Sequence, residues 1–226
     1  MLDPRQQRER LHLADALLLV AHDKYTGKPK VKERTIAFGL AAALLAELIL
    51  EHKRIVLTPG PRCEIRIVRL DTPHDPLAHE VLNELHVNST QTLLRTWLEY
   101  LALTAYERVG NRMSRTVPPV TEPASARVGV LRKQIRVFVP RDAFTPEWPL
   151  VQIRNVVIRG AVINEPDLIL AGLIKLVGVE KHMEEDWSDR QKRYLNDCIA
   201  HLPPSLGSLL AETSATIGAA AMTQSG

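Results

Sequence analysis

The 226-residue chain is 45% hydrophobic and 24% charged, a globular balance that excludes disordered and fibrous classes. Its longest strongly apolar run, Ile36 to Ala46, ends at Glu47 and falls short of the roughly 18–20 residues that span a bilayer. The polar stretch Met1 to Arg10 lacks the apolar centre of a secretory signal, so a cytoplasmic protein is expected; the two cysteines, Cys63 and Cys198, and a net charge of +3 exclude a disulfide framework or thiolate metal site and any strongly charged class.

Leu13, Leu17, Leu18 and Ala21 recur at helical spacing, and Gly27 and Pro29 close that first helix. Lys28, Lys30, Lys32 and Arg34 follow against a single acid, Glu33, which makes a local basic patch. From Thr35 to Leu50 the pattern is apolar almost all round and predicts a central helix buried on most sides, the hub of the core. Ile55 to Leu57 and Cys63 to Leu70 flank Pro59-Gly60-Pro61 and read as a hairpin. Asp75-Pro76 is a helix start, because the Asp side chain accepts an orphan N–H and Pro fits the first helical position; Leu77, Val81, Leu82 and Leu85 form the stripe behind it.

Ser89 precedes a long amphipathic helix with Leu93, Leu94, Trp97, Leu98, Leu101, Ala102 and Ala105 on its buried face and Arg108, Arg112 and Arg115 on its continuation. Pro118, Pro119 and Pro123 then force a loop. The β-branched stretch Val128 to Val139 reads as an arm of a second hairpin with Pro140, Arg141 and Asp142 at its tip, and Arg127, Arg132, Lys133 and Arg136 make a second basic patch there. Leu150 to Ile163 is also rich in β-branched residues, and tertiary context is expected to make it helical. Leu168 to Val177, Ser188 to His201 and Ser205 to Met222 complete a set of about seven or eight helices, without repeats. The expected fold is mainly α: residues 1–10 as a short polar tail, and residues 11–226 as one compact multi-helix domain around a buried central helix, with one or two β-hairpins, one protruding.

Catalytic signatures do not assemble. His79-Glu80 and His86 miss the spacing of a His-Glu-x-x-His zinc motif, and there is no glycine-rich phosphate loop or nucleophile elbow. Asp23, Glu47 and the Glu184-Glu185-Asp186 run are carboxylates that read as caps, paired core acids or solvated surface. No enzyme, no cofactor and no metal site is expected.

Three pieces of the chain, in order, carry a resemblance. They are Leu11-His-Leu-Ala-Asp-Ala-Leu-Leu-Leu-Val-Ala-His-Asp23, then Thr26-Gly27, then Arg34-Thr-Ile-Ala-Phe-Gly-Leu-Ala-Ala-Ala-Leu-Leu-Ala-Glu-Leu48; Trp97-Leu98-Glu99, Gly129-Val130-Leu131 and the Leu168-to-Val177 helix continue it. The chain resembles the Golgi phosphoprotein 3 family, in a bacterial-type form without the long acidic N-terminal extension of the Golgi proteins. The resemblance implies a mainly helical fold with a protruding hairpin. It also implies a peripheral membrane adaptor that binds phosphatidylinositol 4-phosphate on a cytoplasmic membrane face and links client proteins to a coat. At the position of the family's pocket tryptophan stands Lys32, and an arginine after the Gly-Leu of the central helix is here Ala41. A later pair of arginines, three apart, is matched by Arg112 and Arg115.

The expected headgroup site therefore comprises Arg112, Arg115, Lys32 and Arg34. A phosphomonoester carries about −1.5 to −2 charge and suits paired guanidinium contacts, and each basic residue near an anionic leaflet adds roughly 1 kcal/mol. The alternative for Arg112 and Arg115 is solvation or pairing with core carboxylates. Phe138 and Phe144, close to Trp148, are expected to form a membrane-insertion tip on the second hairpin, the alternative being that Phe138 caps the core or an oligomer contact. Expected partners are anionic membrane lipid, client proteins and a second copy through the hairpin. The rival functions are an oligomeric interaction scaffold that never touches lipid and a nucleic-acid-binding module; for the latter no basic helix with base-reading Asn, Gln and Arg stands out, so no nucleic acid is expected.

Overall fold

A computed structural model describes residues 11–58, 60, 62–128 and 133–223. The tail before Leu11, the Gly129-Val130-Leu131 segment and Arg132 lie outside the described residues. Helix α1 (Leu13–Ala21) is buried along its whole length, and helix α2 (Glu33–Leu50) buries nearly every residue from Ile36 to Leu48. Small residues from Ala41 to Ala43 and at Ala46 let neighbouring helices come close to α2, as its all-round apolar pattern predicts. A short antiparallel hairpin follows, β1 (Ile55–Thr58) on β2 (Glu64–Ile67), in the register Ile55↔Ile67 to Thr58↔Glu64.

Helix α3 (Pro76–Val87) starts as its sequence dictates: Asp75 accepts from the Ala78 N–H at 2.8 Å, and Pro76 occupies the first turn. The long helix expected from Ser89 is in fact two, α4 (Leu94–Ala102) and α5 (Ala105–Ser114). The chain breaks at Leu103 and Thr104 because the two apolar stripes face different neighbours. α4 packs on α2 and the C-terminal helix, whereas α5 packs on α1, α2 and α3, and Leu103 at the break is 81% exposed.

Strands β3 (Thr121–Val128) and β4 (Lys133–Pro140) pair antiparallel, from Thr121↔Pro140 to Val128↔Lys133. The pairing runs to Val128↔Lys133, so Pro140, Arg141 and Asp142 stand at the base of this hairpin and not at the tip expected for them. Pro123 is compatible with a strand here because it sits opposite Phe138 at a position whose N–H side faces away from the partner: the Arg141 N–H to Val120 carbonyl bond, 3.0 Å, sets that alternation. The hairpin base is not free of the body, since Val137 and Phe138 are buried and the strands lie along α5.

The β-branched stretch after Pro149 is helix α6 (Trp148–Arg159), with Ile153 and Val157 buried one turn apart. Helices α7 (Glu165–Val177), the single turn α8 (Lys181–Glu184), α9 (Asp189–Ala200) and α10 (Pro204–Met222) complete the chain. Asn164 caps α7 through the Asp167 N–H, and Ser188 with Gln191 forms a reciprocal capping box on α9. Buried side chains from α1 to α10 join one continuous apolar cluster.

Candidate functional site

Arg112 lies inside that cluster, only 8% of its side chain exposed. Its five N–H groups all donate to carboxylates: Nε and Nη2 to Asp15 at 3.0 and 2.8 Å, Nη1 and Nη2 to Glu47 at 2.9 and 3.0 Å, and Nη1 to Asp75 at 2.9 Å. Glu47 also accepts from the Ala14 backbone N–H at 2.7 Å. Four separate elements are thus tied together. Burial raises Asp15 to about 6 even against the pull of Arg112. For Asp75, burial is outweighed by Arg112 and the Ala78 N–H, and the carboxyl titrates below its usual range. Burial of the guanidinium is likewise overcome by Glu47 and Asp15, which hold Arg112 charged. At the rim, His12 donates to Glu51 at 2.7 Å and is raised to about 9 by that bond, against burial.

A guanidinium with every donor committed to buried carboxylates cannot also meet a phosphate. Arg112 is therefore corrected from headgroup ligand to core ion pair. Arg115 is the C-cap of α5, exposed and without a side-chain partner among the described residues. The expected quartet does not come together: Arg112 meets α2 at Glu47, thirteen residues and about 20 Å along the helix from Arg34.

Lys32 and Arg34 do share a place, the N-terminus of α2. The α1–α2 connection is fixed by Asp23, whose Oδ1 accepts from the N–H groups of Tyr25 and Thr26 and the Thr26 hydroxyl. Gly27 there has φ +63, and a Cβ would meet the Phe138 carbonyl oxygen at 2.9 Å, so no other residue fits without displacing β4. Lys30 turns back to donate to the Val20 carbonyl at 2.9 Å. All four basic residues, Lys28, Lys30, Lys32 and Arg34, are exposed. The N-cap, Lys32, supplies no side-chain acceptor; its carbonyl takes the Thr35 N–H at 3.0 Å, which leaves the N–H groups of Glu33 and Arg34 without a partner among the described residues.

Beside this helix start opens a groove of about 940 Å³ walled by His22, Phe38, Tyr100, Leu103 and Tyr106, with Arg34 and Arg136 at its edge. The Arg34 guanidinium lies 5.8 Å from the Phe38 ring centre. Glu33, Glu99 and Glu107 also line the groove, and Arg136 binds Glu107 at 2.9 Å. His22 donates from Nδ1 to the Leu18 carbonyl at 2.7 Å, and burial lowers it to about 4, so it is neutral. Burial pushes Tyr106 up to about 12. Sequence reasoning missed these walls. Thr96, Glu99, Tyr100 and Leu103 recur at helical spacing opposite the buried stripe of α4, a second stripe that a search for core positions passes over.

The aromatic pair of the expected insertion tip is split. Phe138 is 1% exposed and packs against Tyr106 with ring centres 5.5 Å apart, so it is corrected from membrane tip to core residue, the alternative weighed for it. Phe144 is 83% exposed, in the turn after β4 rather than at the hairpin end.

The family model for Golgi phosphoprotein 3 (GPP34) matches residues 13–213. The chain belongs to that family. A search of the curated proteins found no match. The match runs from the first residue of α1 into α10 and takes in both the ion-pair core and the groove. Lys32 is exposed, while Ala41 is fully buried within α2. Among the described residues, no helix is long and apolar enough to cross a membrane.

Proposed function

We propose that this Golgi phosphoprotein 3 family member is a non-enzymatic peripheral membrane adaptor that holds a phosphate-bearing anionic headgroup, phosphatidylinositol 4-phosphate or one of the same monoester chemistry, at the N-terminus of α2. The observation that carries the reading is the uncapped first turn of this 18-residue helix with Lys32 and Arg34 exposed beside it. The two open N–H groups, of Glu33 and Arg34, and the positive end of the helix dipole favour an anion there. Two flexible cations supply the rest of the charge, and Lys28 extends the basic surface toward a leaflet. The groove behind supplies apolar and aromatic walls for the lipid glycerol and upper acyl carbons. Arg115, at the far end of α5, belongs to no part of this site.

Flotation with liposomes tests the reading. Vesicles of neutral lipid containing phosphatidylinositol 4-phosphate are compared with vesicles matched in charge by phosphatidylserine. The double variant Lys32→Glu, Arg34→Glu is expected to lose at least about tenfold in binding to the monoester vesicles with its melting temperature unchanged, since both residues are exposed. Undiminished binding by that variant would refute the site, and equal binding to both vesicle types would refute monoester recognition.

A further inference from the structure

Strand β2 has one edge in use and the other open only at its C-terminal end. The Val68 N–H to Arg54 carbonyl bond, 2.8 Å, and the register Val56↔Arg66 turn the backbone groups of Glu64, Arg66 and Val68 toward β1. Those of Cys63, Ile65 and Ile67 point the other way. At the near end they are taken up by the α3–α4 connection: Ile65 donates to the Thr92 carbonyl at 2.7 Å, and the Cys63 carbonyl accepts from Leu94 at 2.9 Å. Beyond this the pairing stops. Among the described residues the Ile67 N–H and carbonyl have no hydrogen-bond partner.

This open stretch does not face bulk solvent directly. It borders a second groove, about 510 Å³, between β2 and the C-terminal end of α3, walled by Ile67, Leu85 and Gln91. Arg66, Arg69 and His86 line it, and among the described residues no carboxylate does. Arg69 is tied to Asp71 at 3.0 Å, but Arg66 has no ion-pair partner among the described residues. Val68 and Leu70, 42% and 55% exposed, leave apolar surface along the same rim.

We propose that the open end of the β2 edge takes up an extended, acidic peptide segment as an added strand, with Ile67 supplying the backbone pairing and Arg66 selecting for carboxylates. An unpaired strand edge next to a groove is the template for strand addition: main-chain bonds give affinity, and alternate side chains of the guest enter the groove. The Arg66 guanidinium, without an ion-pair partner among the described residues, decides which guest fits. The site lies on the β1–β2 hairpin and is independent of the headgroup reading at α2.

The probe is a labelled synthetic peptide of about eight residues alternating Val and Glu, a typical strand length, titrated into the full chain by fluorescence anisotropy with amide exchange followed by NMR. Two control peptides carry Lys in place of Glu, or the original side chains with alternate backbone amides N-methylated. The acidic peptide should bind at least tenfold more tightly than either control and should slow exchange at the Ile67 amide, while Arg66→Glu should cost about tenfold. Equal binding of the Lys or the N-methylated peptide overturns the proposal. So does an unaltered affinity in Arg66→Glu, or protection of Ile67 that grows with protein concentration alone, which would assign the edge to a second copy of the chain.

Discussion

The Phe138 ring lies flat against the backbone of Gly110, so close that a Cβ at position 110 would come within 2.1 Å of the ring. This contact clamps the base of the β3–β4 hairpin to α5, and only a residue without a side chain permits it. Gly110→Ala should therefore destabilise the chain by about 2 kcal/mol despite the better helix propensity of Ala, because overpacking outweighs propensity. Calorimetry checks the sign; a rise in melting temperature would mean that the ring moves away without cost.

The two phenylalanines once grouped together should behave in opposite ways. Phe138→Ser should cost about 3–5 kcal/mol from lost burial. Phe144→Ser should leave stability within about 0.5 kcal/mol. Urea denaturation of both variants provides the comparison, and a large loss in the Phe144 variant would contradict its exposed position.

Removing the guanidinium at the centre of the core should be among the costliest single changes. Arg112→Ala leaves Asp15, Glu47 and Asp75 facing one another without a counter-charge, and the expected loss is about 3–5 kcal/mol. Arg115→Ala, at an exposed residue without an ion-pair partner among the described residues, should change stability by less than about 0.5 kcal/mol. Equal effects of the two substitutions in thermal melts would mean that the ion-pair core does not hold in solution.

Two groups at this core make stability fall with rising pH in separate windows. Asp15 ionises near 3.8 when unfolded and about 6 when folded, so the unfolded chain releases its proton first and stability declines between those values. His12 is raised from 6.5 to about 9; its stabilisation is complete below 6.5 and lost as the pH rises through 9. Asp75, with its folded value lowered, works in the opposite sense and loses its stabilisation as the pH falls below 3.8. Asp15→Asn, which keeps an oxygen for Arg112, should abolish the decline between about 4 and 6 and be more stable than the parent at pH 7 by on the order of 2 kcal/mol. His12→Gln should abolish only the alkaline decline. Melting temperatures across pH 4–10 decide, and an unaltered profile in Asp15→Asn would show that its carboxyl titrates normally.

What the sequence determined by itself is what short-range physics controls. The Asp75-Pro76 start, the Ser188 capping box and the stripes of α1, α3 and α9 are written within a few residues of where they act, because capping and amphipathic burial depend on neighbours along one helix. The uninterrupted apolar pattern of α2 marked its burial for the same reason. The family, too, was legible from the order and spacing of such pieces, and the match over residues 13–213 agrees. Tertiary structure alone decided the fate of the charged and aromatic residues. Arg112 and Arg115 have the same local pattern, yet Arg112 finds carboxylates 97, 65 and 37 positions away while Arg115 finds none among the described residues. Phe138 and Phe144 differ likewise only in what the fold brings against them: Gly110 and Tyr106 in one case, open solvent in the other. The break at Leu103, the seating of Val137 and Phe138 at the hairpin base and the open end of the β2 edge depend on which elements meet, and long-range contacts of that kind leave no periodic trace in the chain.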